Sequence, residues 1–300
     1  MKRILITGTS GFIGNHLVKN LAKDPKNIIF AIDKKKYNFG KQKNIFQLKI
    51  DLKKQNFKLP KNIHILIHLA AYNGTKFFYE KPLQVINDNI IPTLNLINYF
   101  KNRRLKLFVY AGSPESIVGA TERFNYKIPT DEKCPFVVTD PYNKRWSYGN
   151  SKALGEQAVI SSGIPFLILR YFNIFGPGQK DHFVSDFLYR IKKKKYKIYG
   201  SNNTRTFMYI DDAIRATKLL INNKKAINQI FNVGGKKEIK IKYVAKTILK
   251  ILKIKKNIKF YPSPQGSASR RCPDTKKLIK TIKFKYDFNL IEGLKKTLRI

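Results

Sequence analysis

An α/β fold is predicted for this 300-residue chain: a Rossmann-type doubly wound parallel sheet with a smaller C-terminal domain interwoven with it. Three observations carry the prediction. Short, apolar, β-rich runs alternate with amphipathic stretches through the first half. A glycine-rich turn leads the first of those runs straight into a helical pattern. After Gly176-Pro177-Gly178 the alternation gives way to shorter, mixed elements.

Taken in order, strands are expected at residues 3–8, 28–33, 46–52, 63–70, 106–113 and 166–172, each a run rich in Ile, Leu, Val and Phe. Helices are expected between them at 11–23, 82–101 and 148–162. In the second helix Leu83, Ile86, Ile90, Leu94, Ile97 and Phe100 recur at helical spacing, and Pro82 suits a first-turn position, where no N–H is needed. Beyond Gly178 a helix-like run precedes a Tyr-rich strand at 196–200. A strand passing into a helix follows at 205–222, and a strand end at 231–235. From about residue 236 the tail reads as one long amphipathic helix and a loop rich in Ser, Pro and Gly at 262–269. The expected division is 1–172 plus a returning 206–235 for the sheet domain, and 173–205 with 236–300 for the smaller domain.

Composition narrows the function classes. Apolar residues make up 43%, which excludes a disordered tail. No run approaches the ~18 apolar residues of a spanning helix, and the Ile4-Leu5-Ile6 run is too short for a signal-peptide core. Two cysteines make neither a disulfide framework nor a cysteine metal cage, and the four histidines, His16, His64, His68 and His182, have no metal spacing. A soluble, cytoplasmic protein with no membrane partner and no metal is expected. The charge is extreme: 60 basic residues against 19 acidic give +41. Such an excess points to a polyanionic partner. However, 48 of the 60 are lysine and only 12 arginine, whereas nucleic-acid readout favours the Arg fork. Lysine accompanied by abundant Asn and Ile fits a biased nucleotide composition in the source genome. Nucleic acid is the disfavoured partner, and a nucleic-acid-binding protein on a dinucleotide fold the distant alternative.

The glycine turn is Thr7-Gly8-Thr9-Ser10-Gly11-Phe12-Ile13-Gly14. Gly8, Gly11 and Gly14 allow a tight turn, close approach of backbone N–H groups to a pyrophosphate, and tight helix–strand contact; Phe12 and Ile13 lie in the same turn. Asp33 ends the second strand, where a carboxylate accepts ribose hydroxyls and repels a 2′-phosphate, favouring NAD over NADP. Lys34-Lys35-Lys36 follow directly and are placed to accommodate that phosphate. Farther on, Tyr148-Gly149-Asn150-Ser151-Lys152 sets a phenol and an ammonium four residues apart, on one helical face. A free phenol titrates near ~10, and a neighbouring cation lowers that value toward useful base chemistry. Trp146 reads as a packing residue.

These motifs together resemble the short-chain dehydrogenase/reductase superfamily, and the C-terminal half resembles its extended branch, the NAD-dependent nucleotide-sugar epimerases and dehydratases. Further stretches carry the resemblance in order: Asp51-Leu52; His68-Leu69-Ala70-Ala71; Asn89-Ile90-Ile91-Pro92-Thr93, with Pro92 where the family has Gly; Arg170-Tyr171-Phe172-Asn173; Arg205-Thr206-Phe207-Met208-Tyr209-Ile210-Asp211-Asp212; Phe231-Asn232-Val233-Gly234-Gly235; and Arg271-Cys272-Pro273-Asp274. The resemblance implies NAD contacts at Asp51, Leu52, Leu69, Ala70, Ala71, Asn89, Tyr148 and Lys152. It implies that Ser113 bonds the sugar's C4 oxygen while Tyr148 takes the hydroxyl proton, with Asn173, Arg205 and Arg271 on a nucleotide diphosphate. Arg forks and amide donors suit that group. Thr75, in Asn73-Gly74-Thr75-Lys76 after the fourth strand, is a candidate sugar contact. A homodimer is also implied.

One departure bears on the reaction. The family commonly reads Ser-Ser-x-Glu-Val-Tyr-Gly where this chain has Gly112-Ser113-Pro114-Glu115-Ser116-Ile117-Val118-Gly119. Alignment on Glu115 makes Ser113 the catalytic serine. Pro114 then occupies the slot of the acidic residue that Thr-Asp-Glu dehydratases use as general acid, and proline has no proton to give. The expected function is a nucleotide-sugar epimerase acting by transient oxidation at C4, similar to UDP-glucose 4-epimerase. A 4,6-dehydratase, a decarboxylase and a 4-keto reductase remain the alternatives, with Glu115 either catalytic or a turn residue.

Overall fold

The computed structural model describes every residue except Lys36, Lys41, Gln55 and Gln265. Part of the lysine run after Asp33, Lys36, therefore lies outside the described residues, as does Gln265 in the Ser/Pro/Gly-rich loop.

In chain order the elements are β1 (Lys2–Thr7), α1 (Phe12–Leu21), β2 (Asn27–Asp33), β3 (Ile45–Lys49), β4 (Ile65–His68), α2 (Thr75–Glu80), α3 (Pro82–Phe100), β5 (Leu107–Gly112), a 3₁₀ turn (Pro114–Ser116), α4 (Val118–Arg123), α5 (Trp146–Ile160) and β6 (Phe166–Phe172). There follow β7 (Ile174–Phe175), α6 (Phe183–Lys192), β8 (Lys197–Tyr199), β9 (Thr204–Arg205), β10 (Met208–Tyr209), α7 (Ile210–Ile221) and β11 (Gln229–Gly234). The tail holds β12 (Ile239–Lys240), α8 (Ile241–Ile251), β13 (Lys259–Tyr261), β14 (Arg270–Arg271), α9 (Lys276–Ile282) and α10 (Leu290–Leu298). Each expected strand is present to within a few residues.

A seven-stranded sheet runs in the order β11-β6-β5-β4-β1-β2-β3. The pairings of β1 with β2 and β4, of β2 with β3, and of β5 with β4 and β6 are all parallel. The strands read as unbroken apolar runs because both sheet faces are covered: Leu5, Ile6, Ile29, Ile32, Leu66, Ile67, Phe108 and Val109 are fully buried. β3 is one of the two edge strands and leaves Phe46 half exposed. The order reverses between β1 and β4, and the crevice at the carboxyl ends of such a pair is where open α/β sheets take their ligands.

Two compact units divide the chain: residues 1–116, 144–170 and 214–231, and residues 117–143, 171–213 and 232–300. The first contains the strands around the crevice and one contiguous core that includes Leu5, Ile32, Leu66, Leu96, Phe108 and Ile168. The second is built on short pairings: β7 with β10, β9 between β12 and β14, and β8 with β13. It is pinned by buried Asp212, whose carboxylate accepts the N–H groups of Asp287 and Phe288.

Two readings of the sequence need correction. The tail is not one long helix but three, α8, α9 and α10, and Lys283 in the left-handed region stops α9 after seven residues. The apolar stripe of α3 also divides: Ile97 and Phe100 are buried, whereas Leu83, Ile86 and Leu94 face outward, and Val85, Asn89, Thr93 and Leu96 fill the inner face.

Candidate active site

The glycine turn connects β1 to α1 at the crevice. Gly8 has φ +72°, and a Cβ there would lie 2.6 Å from the Ala70 nitrogen at the end of β4. A Cβ on Gly14 would lie 2.3 Å from the Gly8 carbonyl oxygen, so the helix can start this close to the turn only with glycine. The first-turn N–H groups of α1, among them those of Phe12, Ile13 and Gly14, have no carbonyl partner within the helix and form an anion-binding end. Asp33 stands beside this turn: one carboxylate oxygen accepts the Ser10 N–H and the other the Lys35 N–H, both at 3.0 Å. A carboxylate has further lone pairs, which keeps acceptor capacity for a diol. Thr9, Asp33, Lys35, Tyr37 and Lys49 help line a cavity of about 250 Å³ next to it. A backbone cradle that a single methyl group would fill, with a carboxylate at its far end, fits a dinucleotide's pyrophosphate and ribose.

Across the crevice a buried polar chain ties the strands to two helices. His68 is fully buried, and burial pulls its pKa down to about 3, so the ring is neutral. Thr93 spends its hydroxyl proton on the Asn89 carbonyl, which makes His68 Nε2 the donor to Thr93 (3.1 Å) and Nδ1 the acceptor from Thr7 (2.7 Å). Thr7 Oγ1 also accepts the Ala70 N–H. The Asn89 amide takes the Tyr72 N–H on its oxygen and donates to Ser151, whose hydroxyl donates to the Tyr148 carbonyl. Asn89 thus braces the segment after β4 against α5. Leu69, Ala70 and Ala71 form that segment, and exposed Thr75 begins α2. Asp51 and buried Leu52 follow β3; Asp51 accepts the Lys53 N–H, and the Leu52 carbonyl accepts from Asn95.

The helix α5 carries ionisable groups on its buried face: Tyr148, Lys152 and Glu156 recur every four residues. Gly149 and Gly155 let this face approach closely, since a Cβ would lie 2.6 Å from the Glu115 carbonyl oxygen in the first case and collide with the Tyr110 hydroxyl in the second. Tyr148 is 7% exposed and stacks on Phe78, ring centroids 4.6 Å apart. Burial pushes its pKa well above the free value; a hydrogen bond from Ser113 opposes that and the Glu115 charge adds to it. Lys152 donates to the Ala111 carbonyl at 2.9 Å, and its ammonium lies 4.9 Å over the Tyr110 ring. Burial lowers its pKa to about 8, against the pull of Glu156. Glu156 is itself paired with Arg170 at 2.7 Å, both essentially without solvent contact.

Ser113 follows β5, and its Oγ accepts the Glu115 N–H at 3.2 Å. Arg145, at the N-cap of α5, places one Nη2 atom 3.1 Å from each Glu115 carboxylate oxygen. Sequence reading missed Arg145; its one signal is a position a helical turn ahead of Tyr148. It also passed over the Glu156–Arg170 pair, although Glu156 continues the Tyr148/Lys152 spacing by one more turn.

Asn173, Arg205 and Arg271 belong to the second unit. Asn173 adopts φ +43°, and its side-chain nitrogen is buried with no hydrogen-bond partner among the described residues. Arg205 donates to the carbonyls of Thr204, Ser269 and Ala268. It pairs in register with Arg271 across β9 and β14. Among the described residues no helix is long and apolar enough to cross a membrane, and no group of three His, Cys, Asp or Glu is placed to hold a metal ion.

The NAD dependent epimerase/dehydratase family matches residues 4–234. The UDP-N-acetyl-alpha-D-glucosaminuronate decarboxylase of Bacillus cytotoxicus is 30% identical over 99% of this chain and 97% of its own length. The dTDP-D-glucose 4,6-dehydratase of Dictyostelium discoideum is 32% identical over 84% of this chain and 62% of its own. Among solved structures, UDP-glucuronic acid 4-epimerase from Bacillus cereus, in complex with UDP-glucuronic acid and NAD, superposes with TM-score 0.86 at 26% identity, over 99% of this chain and 98% of the other.

Proposed function

The chain belongs to the NAD-dependent epimerase/dehydratase family, and from that premise we propose that it is a nucleotide-sugar 4-epimerase acting by transient oxidation at sugar C4. The observation that carries the reading is Tyr148 and Lys152 together on the buried face of α5, with Ser113 pulling the Tyr148 pKa down against its burial and Glu115 tied up by Arg145. When bound, NAD supplies a hydride acceptor that takes the C4 hydrogen and gives it back. Gly8, Gly11 and Gly14 with the start of α1 hold its pyrophosphate, Asp33 its adenosine ribose, and the Leu69–Ala71 segment, Asp51 and Leu52 its adenine half.

The protein's own part is proton handling. Tyr148 Oη accepts the proton of the C4 hydroxyl and returns it when the hydroxyl re-forms on the other face. Ser113 Oγ holds the C4 oxygen, and the Lys152 ammonium favours the phenolate by Coulomb attraction. In the second unit Asn173, Arg205 and Arg271 are assigned to the diphosphate, and Thr75 in the first to the sugar. Epimerisation at C4 needs no further acid or base, whereas loss of water from the 4-ketone does. Glu115 with both oxygens on a guanidinium is poorly placed to give up a proton, and Pro114 has none.

Decarboxylation is the second reading, favoured by the 30% identical relative's name. The exposed apolar residues of α3 and α5, Leu83, Ile86, Leu94 and Leu154, support a homodimer through these helices.

The test is turnover of a panel of UDP- and dTDP-hexoses and hexuronic acids, with wild type and Tyr148→Phe. The expected result is a C4 epimer of unchanged mass, with kcat lowered about 10²–10⁴-fold in Tyr148→Phe and NAD still retained on purification. Loss of carbon dioxide or water from the product would replace epimerase by decarboxylase or dehydratase. Full activity in Tyr148→Phe would remove Tyr148 from the reaction.

A further inference from the structure

Arg145 lies 7% exposed at the N-cap of α5, three residues before Tyr148. Its Nη2 contacts both oxygens of Glu115, and it also bonds the Tyr79 hydroxyl of α2. The ion pair is nearly dry, with side chains 8% and 13% exposed. A guanidinium and a carboxylate are costly to bury and are retained where a particular geometry is needed. Here the pair ties the segment that carries Ser113 to the start of the helix that carries Tyr148. Glu115 is two residues past Ser113, whose Oγ accepts its N–H, and its carbonyl packs on Gly149, the neighbour of Tyr148.

We propose that Arg145 is a positioning residue for the C4 reaction: it fixes Glu115 as a counter-charged carboxylate next to Tyr148, so that the phenol can lose its proton in spite of that neighbour. The proposal rests on the epimerase reading of the site. An uncompensated carboxylate opposes a phenolate, and the Glu115 charge already raises the Tyr148 pKa. The other titratable groups around Tyr148 are Lys152 on its own helix, Tyr110 on β5, Tyr79 on α2, and Tyr72 in the segment after β4. Lys152 is anchored on the Ala111 carbonyl. Arg145 is the counter-charge in contact with Glu115.

The experiment compares pH–rate profiles of wild type, Arg145→Met, Arg145→Lys, Glu115→Gln and the double variant Arg145→Met/Glu115→Gln. The substrate is the nucleotide sugar that wild type turns over; melting temperature and retained NAD are measured alongside. The rate rises with pH as Tyr148 loses its proton. In Arg145→Met that rising limb should move up by about one pH unit, about a tenfold loss of kcat on the limb, with KM nearly unchanged. Arg145→Lys should restore it, and in the double variant, where both charges are gone, the limb should return close to wild type. A limb that stays put in folded, NAD-retaining Arg145→Met would overturn the proposal. So would a double variant no better than the single one, the result expected if Arg145 merely braces the loop. Wild type without turnover on any nucleotide sugar would sink the epimerase reading and this proposal with it, whereas the first two results leave that reading intact.

Discussion

Gly14 has no room for a side chain: a methyl group there would sit 2.3 Å from the Gly8 carbonyl oxygen, and that oxygen belongs to backbone that cannot swing aside. An alanine must lift α1 away from the turn, and with it the N–H groups that would face a pyrophosphate. Gly14→Ala is expected to weaken NAD binding by at least about tenfold, the scale of one to two lost charge-assisted hydrogen bonds. Equilibrium dialysis with labelled NAD checks it. Lys152 makes a second residue-scale prediction. Its ammonium is cationic below about pH 8 and neutral above. Its support for the phenolate is therefore lost as pH rises, and the rise of kcat with pH should be shallower above about pH 8. Between about pH 8 and the free-lysine value the unfolded chain binds a proton that the native chain does not, so unfolding free energy should rise with pH across that window. Urea titrations at pH 7.5 and 9.5 on wild type and Lys152→Met would show the difference: Lys152→Met should lack this increment.

At the scale of elements, α5 explains why part of the site escaped sequence reading. Its buried face is Ser147, Tyr148, Ser151, Lys152 and Glu156 interleaved with Gly149 and Gly155, so apolar periodicity does not reveal which side faces inward. Tyr148 and Lys152 were legible because their spacing is itself a chemical signal. The Arg145–Glu115 and Arg170–Glu156 pairs were not, since a partner 30 residues away in the first case, and a pairing of strand β6 with helix α5 in the second, is set by the fold rather than by any local pattern. The strands were legible because a sheet buried on both faces must read as continuous Ile, Leu, Val and Phe. Periodicity in α3 identified a helix but not its inner side: the outward stripe of Leu83, Ile86 and Leu94 is as apolar as the inward one. The tail helices α9 and α10 are too short for a periodic signal, although Asn289 and Glu292 form a capping box that a local reading would have caught. The pair under α5 is testable. Glu156→Gln leaves the Arg170 guanidinium buried without its counter-charge, which should cost about 3–5 kcal/mol of stability. Chemical denaturation measures it, and a change below about 1 kcal/mol would mean the pair adds little to the packing of α5 on β6.

Charge is a property of the whole molecule. A net +41 spread over 300 residues sets up a positive field far beyond any single side chain. Local geometry does not explain it: the cations Lys152, Arg145 and Arg170 are buried and paired or anchored, and most of the remaining lysines lie on the surface. A field acts whatever its origin. A nucleotide sugar carries the negative charge of its diphosphate and would be drawn in from a distance set by the screening length. That length is ~30 Å at 0.01 M salt and ~3 Å at 1 M. The capture step should therefore weaken steeply with salt while chemistry at the buried phenol does not. The expected outcome is a kcat/KM that falls severalfold between about 0.01 and 0.5 M salt, with kcat nearly constant. Steady-state kinetics across a potassium chloride series reads both. A duplex-binding isotherm over the same series separates field from recognition: non-specific attraction should vanish near physiological salt, whereas a nucleic-acid partner would hold its affinity there. A flat kcat/KM would show that the lysines leave substrate capture untouched.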